Sequence, residues 1–177
     1  MKKENNLKKI LVIGCCGAGK STFSNKLQSI LKLELIHLDQ YYHKPNWEEP
    51  KKGEWDKIVH TLVQKPSWIM DGNHNRTMDV RIKSADTIIY LDYPTFKCFW
   101  RVIIRIFKYH GVVRSEMANG CKEKFDLEFL HFVLTFNNKF RKEIIQKLNL
   151  VKDEKKILVF TTDKQADKFL AQISEVK

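Results

Sequence analysis

The chain of 177 residues is 43% hydrophobic and 30% charged, a balance that excludes wholesale disorder and predicts one compact domain over 1–177. Its 32 Lys and Arg against 21 Asp and Glu give +11 with neutral histidines, a surface that attracts nucleotides, nucleic acid or any other polyanion. No stretch approaches the ~18 unbroken apolar residues of a membrane span, and the apolar run after the polar N-terminus is too short for a signal-peptide core, so a cytoplasmic protein without membrane contact is expected.

Short apolar strands alternate with amphipathic helical stretches, which predicts βαβ units and an α/β fold with a five-stranded parallel sheet flanked by helices. Strands are predicted at 9–13, 34–38, 67–71, 87–92 and 156–160, each apolar enough to be covered on both faces. Helices are predicted at 21–31, 55–64, 94–109, 126–148 and 164–173, with Pro94 suited to a first helical turn. Two segments break the alternation. Residues 39–53 carry aromatics, two prolines and many charges, and 110–125 carry glycines and mixed charge. Both read as excursions over the ligand edge of the sheet. Cys15, Cys16, Cys98 and Cys121 have no metal-type spacing and are expected as reduced thiols.

Gly14-Cys15-Cys16-Gly17-Ala18-Gly19-Lys20-Ser21 fits the P-loop pattern G-x-x-x-x-G-K-[ST], between an apolar strand and the helix that continues through Thr22. Glycines let the backbone wrap so that successive N–H groups point at phosphate oxygens, assisted by the helix dipole. Lys20 is expected to reach the β- and γ-phosphates of ATP and the Ser21 hydroxyl to ligate Mg²⁺.

Together with this loop, Ile36-His37-Leu38-Asp39, Pro45-Asn46-Trp47, Trp68-Ile69-Met70-Asp71-Gly72-Asn73, Leu91-Asp92-Tyr93-Pro94 and Met117-Ala118-Asn119-Gly120-Cys121 give a sequence that resembles the adenylate-kinase-like branch of P-loop kinases. Within that branch it is most similar to the small bacterial FlaR-type topology modulation proteins. The resemblance covers nearly the whole chain and implies a nucleoside-monophosphate-kinase-like fold with an acceptor-side excursion at 39–66 and a short lid at 109–125.

On the helix after Pro94, Lys97, Arg101, Arg105 and Lys108 form one basic stripe, and Phe96, Phe99, Trp100, Ile103 and Phe107 recur at helical spacing as the expected buried face. Lys97 and Lys108 read as a solvated face. The resemblance implies that Arg101 and Arg105 aim at the transferring phosphates, where paired guanidinium hydrogen bonds offset transition-state charge. In the lid, Arg114 is the candidate for a phosphate contact on closure, beside Lys122 and Lys124, with a solvent-facing role as the alternative; Arg141 is a second candidate. The resemblance also places adenine against Arg105 and the turn Thr161-Thr162-Asp163-Lys164.

Asp71 precedes Gly72 as in related kinases, which implies a carboxylate that holds Mg²⁺ through water or orients the acceptor, against the plainer reading of a capped strand end. Asp39 ends the second predicted strand; a carboxylate there can accept a proton from an acceptor hydroxyl, whereas a phosphate acceptor needs arginines instead. Asn73-His74-Asn75-Arg76-Thr77 departs from the Gly-x-Pro-Arg-Thr run of adenylate kinases. The proline is missing and one residue is added, so the acceptor-side arginine is displaced to Arg76 or Arg81, with Asn73 alongside, and AMP is a doubtful acceptor. Tyr41, Tyr42, His43, Lys44 and Trp47 either line a base-stacking pocket or pack the excursion. His37, His74 and His110 are expected to be structural or exposed. Transfer of the γ-phosphoryl group of Mg-ATP to a nucleoside, nucleotide or similar small acceptor is the leading function; a nucleic-acid-associated ATPase that affects DNA topology is the alternative, although no RNP aromatics, zinc-finger spacing or helix-turn-helix accompany the charge.

Overall fold

The computed structural model describes residues 7–175. Five strands, β1 (Lys9–Gly14), β2 (Leu35–His37), β3 (Trp68–Asp71), β4 (Thr87–Leu91) and β5 (Lys156–Phe160), form one parallel sheet in the order β2-β3-β1-β4-β5. Strands β1, β3 and β4 are buried along almost their whole length, as central strands covered by helices should be. The chain passes from β1 to one side of the sheet and later to the other, so the switch point that favours ligand binding lies at the carboxyl end of β1. The register sets Val12 beside Asp71, Asp71 beside His37 and Gly14 beside Leu91, which brings the loops after four strands to one edge.

Helix α1 (Lys20–Leu31) starts at Gly19 in the left-handed conformation and ends at Lys32, also left-handed. The remaining helices are α2 (Leu38–Tyr42), α3 (Lys52–Gln64), α4 (Met78–Ser84), α5 (Thr95–Tyr109), α6 (Leu127–Phe136), α7 (Lys142–Val151) and α8 (Asp163–Glu175). No helix among the described residues is long and apolar enough to cross a membrane, and all four cysteines are free.

Several boundaries differ from the sequence expectation. The second strand stops at His37 because Leu38 and Asp39 open the short helix α2, so Asp39 sits on a helix rather than at a strand end. Pro94 is the N-cap of α5 instead of its first helical residue, and Asp126 caps α6 by accepting from the Phe129 N–H at 3.0 Å. The expected continuous helix over 126–148 carries a π turn at Asn137–Arg141 between α6 and α7, a local widening that single-residue periodicity does not register. There Asn137 donates to the Tyr93 carbonyl at 3.2 Å and Arg141 grips Asp92 through bonds of 2.8–3.0 Å. Helix α4 was not expected, since seven residues are too few to show a period.

The buried face of α5 also differs. Cys98, Val102 and Ile106 point inward, Phe99 and Ile103 are half-buried, and Phe96, Trp100 and Phe107 are exposed. The inward line is chosen by the P-loop, whose Gly17 lies against the Cys98 carbonyl and Val102.

Candidate active site

The loop between β1 and α1 turns through Gly17 and Gly19 at positive φ, 82° and 87°. At Gly17 this conformation coincides with close packing: a Cβ would run into the Cys98 carbonyl oxygen and meet Val102 Cγ2 at 2.9 Å. Gly17→Ala is therefore expected to cost ~1–3 kcal/mol through backbone strain alone. ATP affinity should fall at least about tenfold as the loop shifts, checked by calorimetric titration beside a thermal melt. The loop is also pinned from β3. The Gly14 N–H donates to Asn73 Oδ1 at 3.0 Å and Asn73 Nδ2 donates back to the Gly14 carbonyl at 2.6 Å. Lys20 Nζ folds over the same loop, donating to the carbonyls of Gly14 at 2.9 Å and Cys15 at 3.2 Å.

In front of the loop lies a cleft of about 760 Å³ lined by Gly17, Ala18, Gly19, Lys20, Ser21 and Thr22, by Asp39 and Asp71, and by Arg101, Arg105 and Arg114. Three arginines from α5 and the lid thus share one cavity with the P-loop. Each is held by a carboxylate. Arg101 donates to Asp163 at 2.8 Å, with Lys97 on the same oxygen at 2.7 Å. Glu123, buried at 4% exposure, accepts from Arg105 at 3.1 Å and from Arg114 at 2.8 Å. Arg105 Nε is buried with no hydrogen-bond partner, an unsatisfied donor at the cleft. The pairings of Glu123 and Asp163 carry no spacing signal in the sequence, since Glu123 finds its partners 9 and 18 residues away outside any regular helix and Asp163 meets Arg101 across 62 residues.

The opposite wall is acidic. Asp71 is buried and both its oxygens meet His37 Nδ1, at 2.9 and 3.0 Å. Burial pushes the His37 imidazole down, but the Asp71 hydrogen bond and charge outweigh it and hold the pKa above its ordinary value. Asp39 Oδ1 meets His74 Nε2 at 2.9 Å. Burial pushes the Asp39 carboxyl up, yet the His74 hydrogen bond, with the charges of His74, Lys20 and His43, prevails and brings it to about 2. Asp39 is accordingly ionised at neutral pH. His37 and His74 each position a cleft carboxylate, while His110 forms an isolated bridge with Glu123 in the lid.

Other expected contributors lie elsewhere. Arg76 faces away from the cleft and pairs with Asp56 through bonds of 2.9 and 2.6 Å at the surface. Arg81 has no exposed surface: it sits on the inner side of α4 and donates to the carbonyls of Gly72, Asn73, His74 and Thr77. Burial lowers its pKa to about 9. Neither can grip an acceptor phosphate. Asn73, expected on the acceptor side, spends its amide on Gly14, and Arg141 is taken up by Asp92. The N–H groups of Thr161 and Thr162 donate to Gln165 Oε1 at 2.8 and 3.3 Å, so they are engaged within their own turn; the turn reaches the cleft through Asp163.

The aromatics of the excursion pack it rather than line the cleft. Tyr42 meets Trp55 and His74 with ring centroids 4.9 and 4.4 Å apart, and His43 meets Trp47 at 5.1 Å. The excursion is also fastened to the lid. Gln40 donates to the Ser115 carbonyl at 2.5 Å, Trp47 Nε1 to the Lys122 carbonyl at 3.0 Å and Cys121 Sγ to the Lys44 carbonyl at 3.2 Å. Met117, Ala118 and Cys121 form a small core against Trp47.

No protein-family model matches the chain, and no curated protein does. Among solved structures, shikimate kinase from Acinetobacter baumannii in complex with shikimate is 16% identical, with 97% of this chain and 96% of that chain covered and a TM-score of 0.56. Shikimate kinase from Bacteroides thetaiotaomicron is 16% identical, with 94% and 96% covered and a TM-score of 0.51. At this identity the likeness establishes architecture: the chain has the P-loop kinase fold, with a five-stranded parallel sheet flanked by helices.

Proposed function

We propose that the chain is a P-loop phosphotransferase that moves the γ-phosphoryl group of Mg-ATP to a hydroxyl group of a small acceptor, of the nucleoside or polyol kind. The observation that carries this reading is the sharing of one cleft by Lys20, three arginines and an ionised Asp39. Its fold likeness to small-molecule kinases and its sequence resemblance to the FlaR-type branch agree with it. Lys20 and the loop amides bind the β- and γ-phosphates, and Arg101, Arg105 and Arg114 neutralise charge on the transferring group. The acceptor oxygen bonds to phosphorus as the bond to the ADP oxygen breaks, and the hydroxyl proton passes to Asp39. A carboxylate of such low basicity fits a loose transition state, where orientation of the hydroxyl precedes proton transfer.

Ser21 and Asp71 supply a hydroxyl and a carboxylate at the cleft, and hard oxygen donors of this kind fit Mg²⁺ that keeps most of its waters. Bound there, the ion would neutralise phosphate charge. The acceptor is argued from the arginines. Among the described residues the arginines that line the cleft are Arg101, Arg105 and Arg114; assigned in this reading to donor phosphates, in exchange for Asp163 and Glu123, they leave no further cleft arginine for a phosphorylated acceptor.

The test is ADP release from Mg-ATP over a panel of nucleosides, nucleoside monophosphates and sugars, with wild type and Asp39→Asn. Hydroxyl acceptors are expected to turn over, and Asp39→Asn should lower that rate by ~10²–10⁴, the usual yield of a positioned base. Equal small losses for hydroxyl and phosphate acceptors would remove the base role and with it the hydroxyl assignment.

A further inference from the structure

Helix α5 has a third face that neither the core nor the cleft uses. Phe96, Trp100, Ile104 and Phe107 follow one another at spacings of four, four and three and are 69%, 49%, 61% and 80% exposed. The rings of Phe96 and Trp100 meet edge to face at 5.9 Å, so the residues form a continuous ridge. A solvated helix face is normally polar, and an apolar patch of this size marks an interaction surface.

We propose that the α5 ridge is a homodimer interface, packed against the same ridge of a second copy about a two-fold axis. Area and the apolar self-match of the ridge favour this occupant. Taking ~150–250 Å² for a whole aromatic side chain and the exposures above, the four residues offer roughly 500 Å² per copy. A pair would bury about 1,000 Å², the threshold for a specific interface. A two-fold contact must be self-complementary. With the helices antiparallel, Phe96 of one copy opposes Phe107 of the other and Trp100 opposes Ile104, so apolar meets apolar throughout.

Three of the four cations of α5 are paired with carboxylates within the chain. Lys97 and Arg101 share Asp163, Arg105 is on Glu123, and the Lys108 ammonium lies 5.2 Å from the centre of the Tyr109 ring. A helix that settles on an anionic membrane needs several free Lys and Arg beside its apolar face; of the two lysines that border this ridge, Lys97 is paired with Asp163 and Lys108 lies against the Tyr109 ring. A second copy makes no such demand. Because Arg101 and Arg105 lie on a different side of α5 from the ridge, pairing leaves the cleft open.

The test is sedimentation velocity of the full chain between about 1 and 100 µM. A monomer–dimer equilibrium is expected that raised salt strengthens or leaves unchanged, since two chains of net charge +11 repel and salt screens that repulsion. Ile104→Glu with Phe107→Glu should weaken the dimer at least ~30-fold, the scale of losing an interface hot spot, with an unchanged melting temperature and unchanged ADP release. Should the charged pair melt without cooperativity, Ile104→Ser with Phe107→Ser is read in the same way. A wild-type monomer throughout the range, or a dimer indifferent to both variants, would overturn the proposal. So would a wild-type monomer that instead co-sediments with phosphatidylserine vesicles and releases them in salt.

Discussion

Lys20→Ala is expected to lower ADP release by at least ~10²–10³, the loss that follows removal of one preorganised charge donor at a transferring or developing anion, while the fold survives. The side chain projects from the first turn of α1 and its ammonium lies over the carbonyls of Gly14 and Cys15. It fixes no distant element, so its removal leaves the Asn73 clamp on Gly14 and the packing of Gly17 in place. What disappears is the one ammonium of the loop that faces the cleft. Circular dichroism and a melt matching wild type, with ATP affinity and turnover both collapsed, would separate loss of function from loss of structure. Turnover within threefold of wild type would refute the phosphate-binding role of the loop.

Arg81→Ala is expected to be the most destabilising of these substitutions while touching no substrate. The guanidinium is fully buried and its charge is balanced by main-chain carbonyls rather than a carboxylate. Removing it takes the guanidinium from four carbonyls around the turn after β3, of which that of His74 keeps the Thr77 N–H, and the lost hydrogen bonds together with the cavity left cost about 3–5 kcal/mol. For a chain of this size that corresponds to a fall of roughly 6–20 °C in melting temperature. Arg81→Lys should rescue little, because an ammonium cannot span carbonyls fanned across Gly72, Asn73, His74 and Thr77. A melt unchanged in both variants would show that the turn stands without its central donor.

The contrast between Arg81 and Arg101 shows where the sequence was legible. The P-loop could be read because chemistry dictates its spacing, and the arginines of α5 because a four-residue interval fixes them on one side of a helix. Arg81 had the right residue type near the acceptor segment, but its direction depends on α4, an element too short to display a period. Trp47 and Tyr42 were ambiguous for a related reason: an aromatic ring stacks equally well on a base or on a neighbouring ring, and only the fold places Trp55 and His74 beside Tyr42. The buried face of α5 departs from the expected one because apolar residues occupy more of the helix than the core can take. Periodicity located the apolar arc, while the close approach of Gly17 chose which part of it turns inward. The pairings that Glu123 and Asp163 make with the cleft arginines are not legible, because ion pairs outside a regular element leave no periodic pattern.

The fastening of the excursion to the lid bears on how ligands enter. The loop that begins at Asp39 and the segment that carries Arg114 share hydrogen bonds and a miniature core, so a displacement of either pulls on the other. On the proposed reaction, a donor held by Arg114 and an acceptor held at Asp39 would each settle both segments, so whichever binds first prepares the doorway for the second. Synergy between the two proposed substrates would then follow from this fastening rather than from any contact between them.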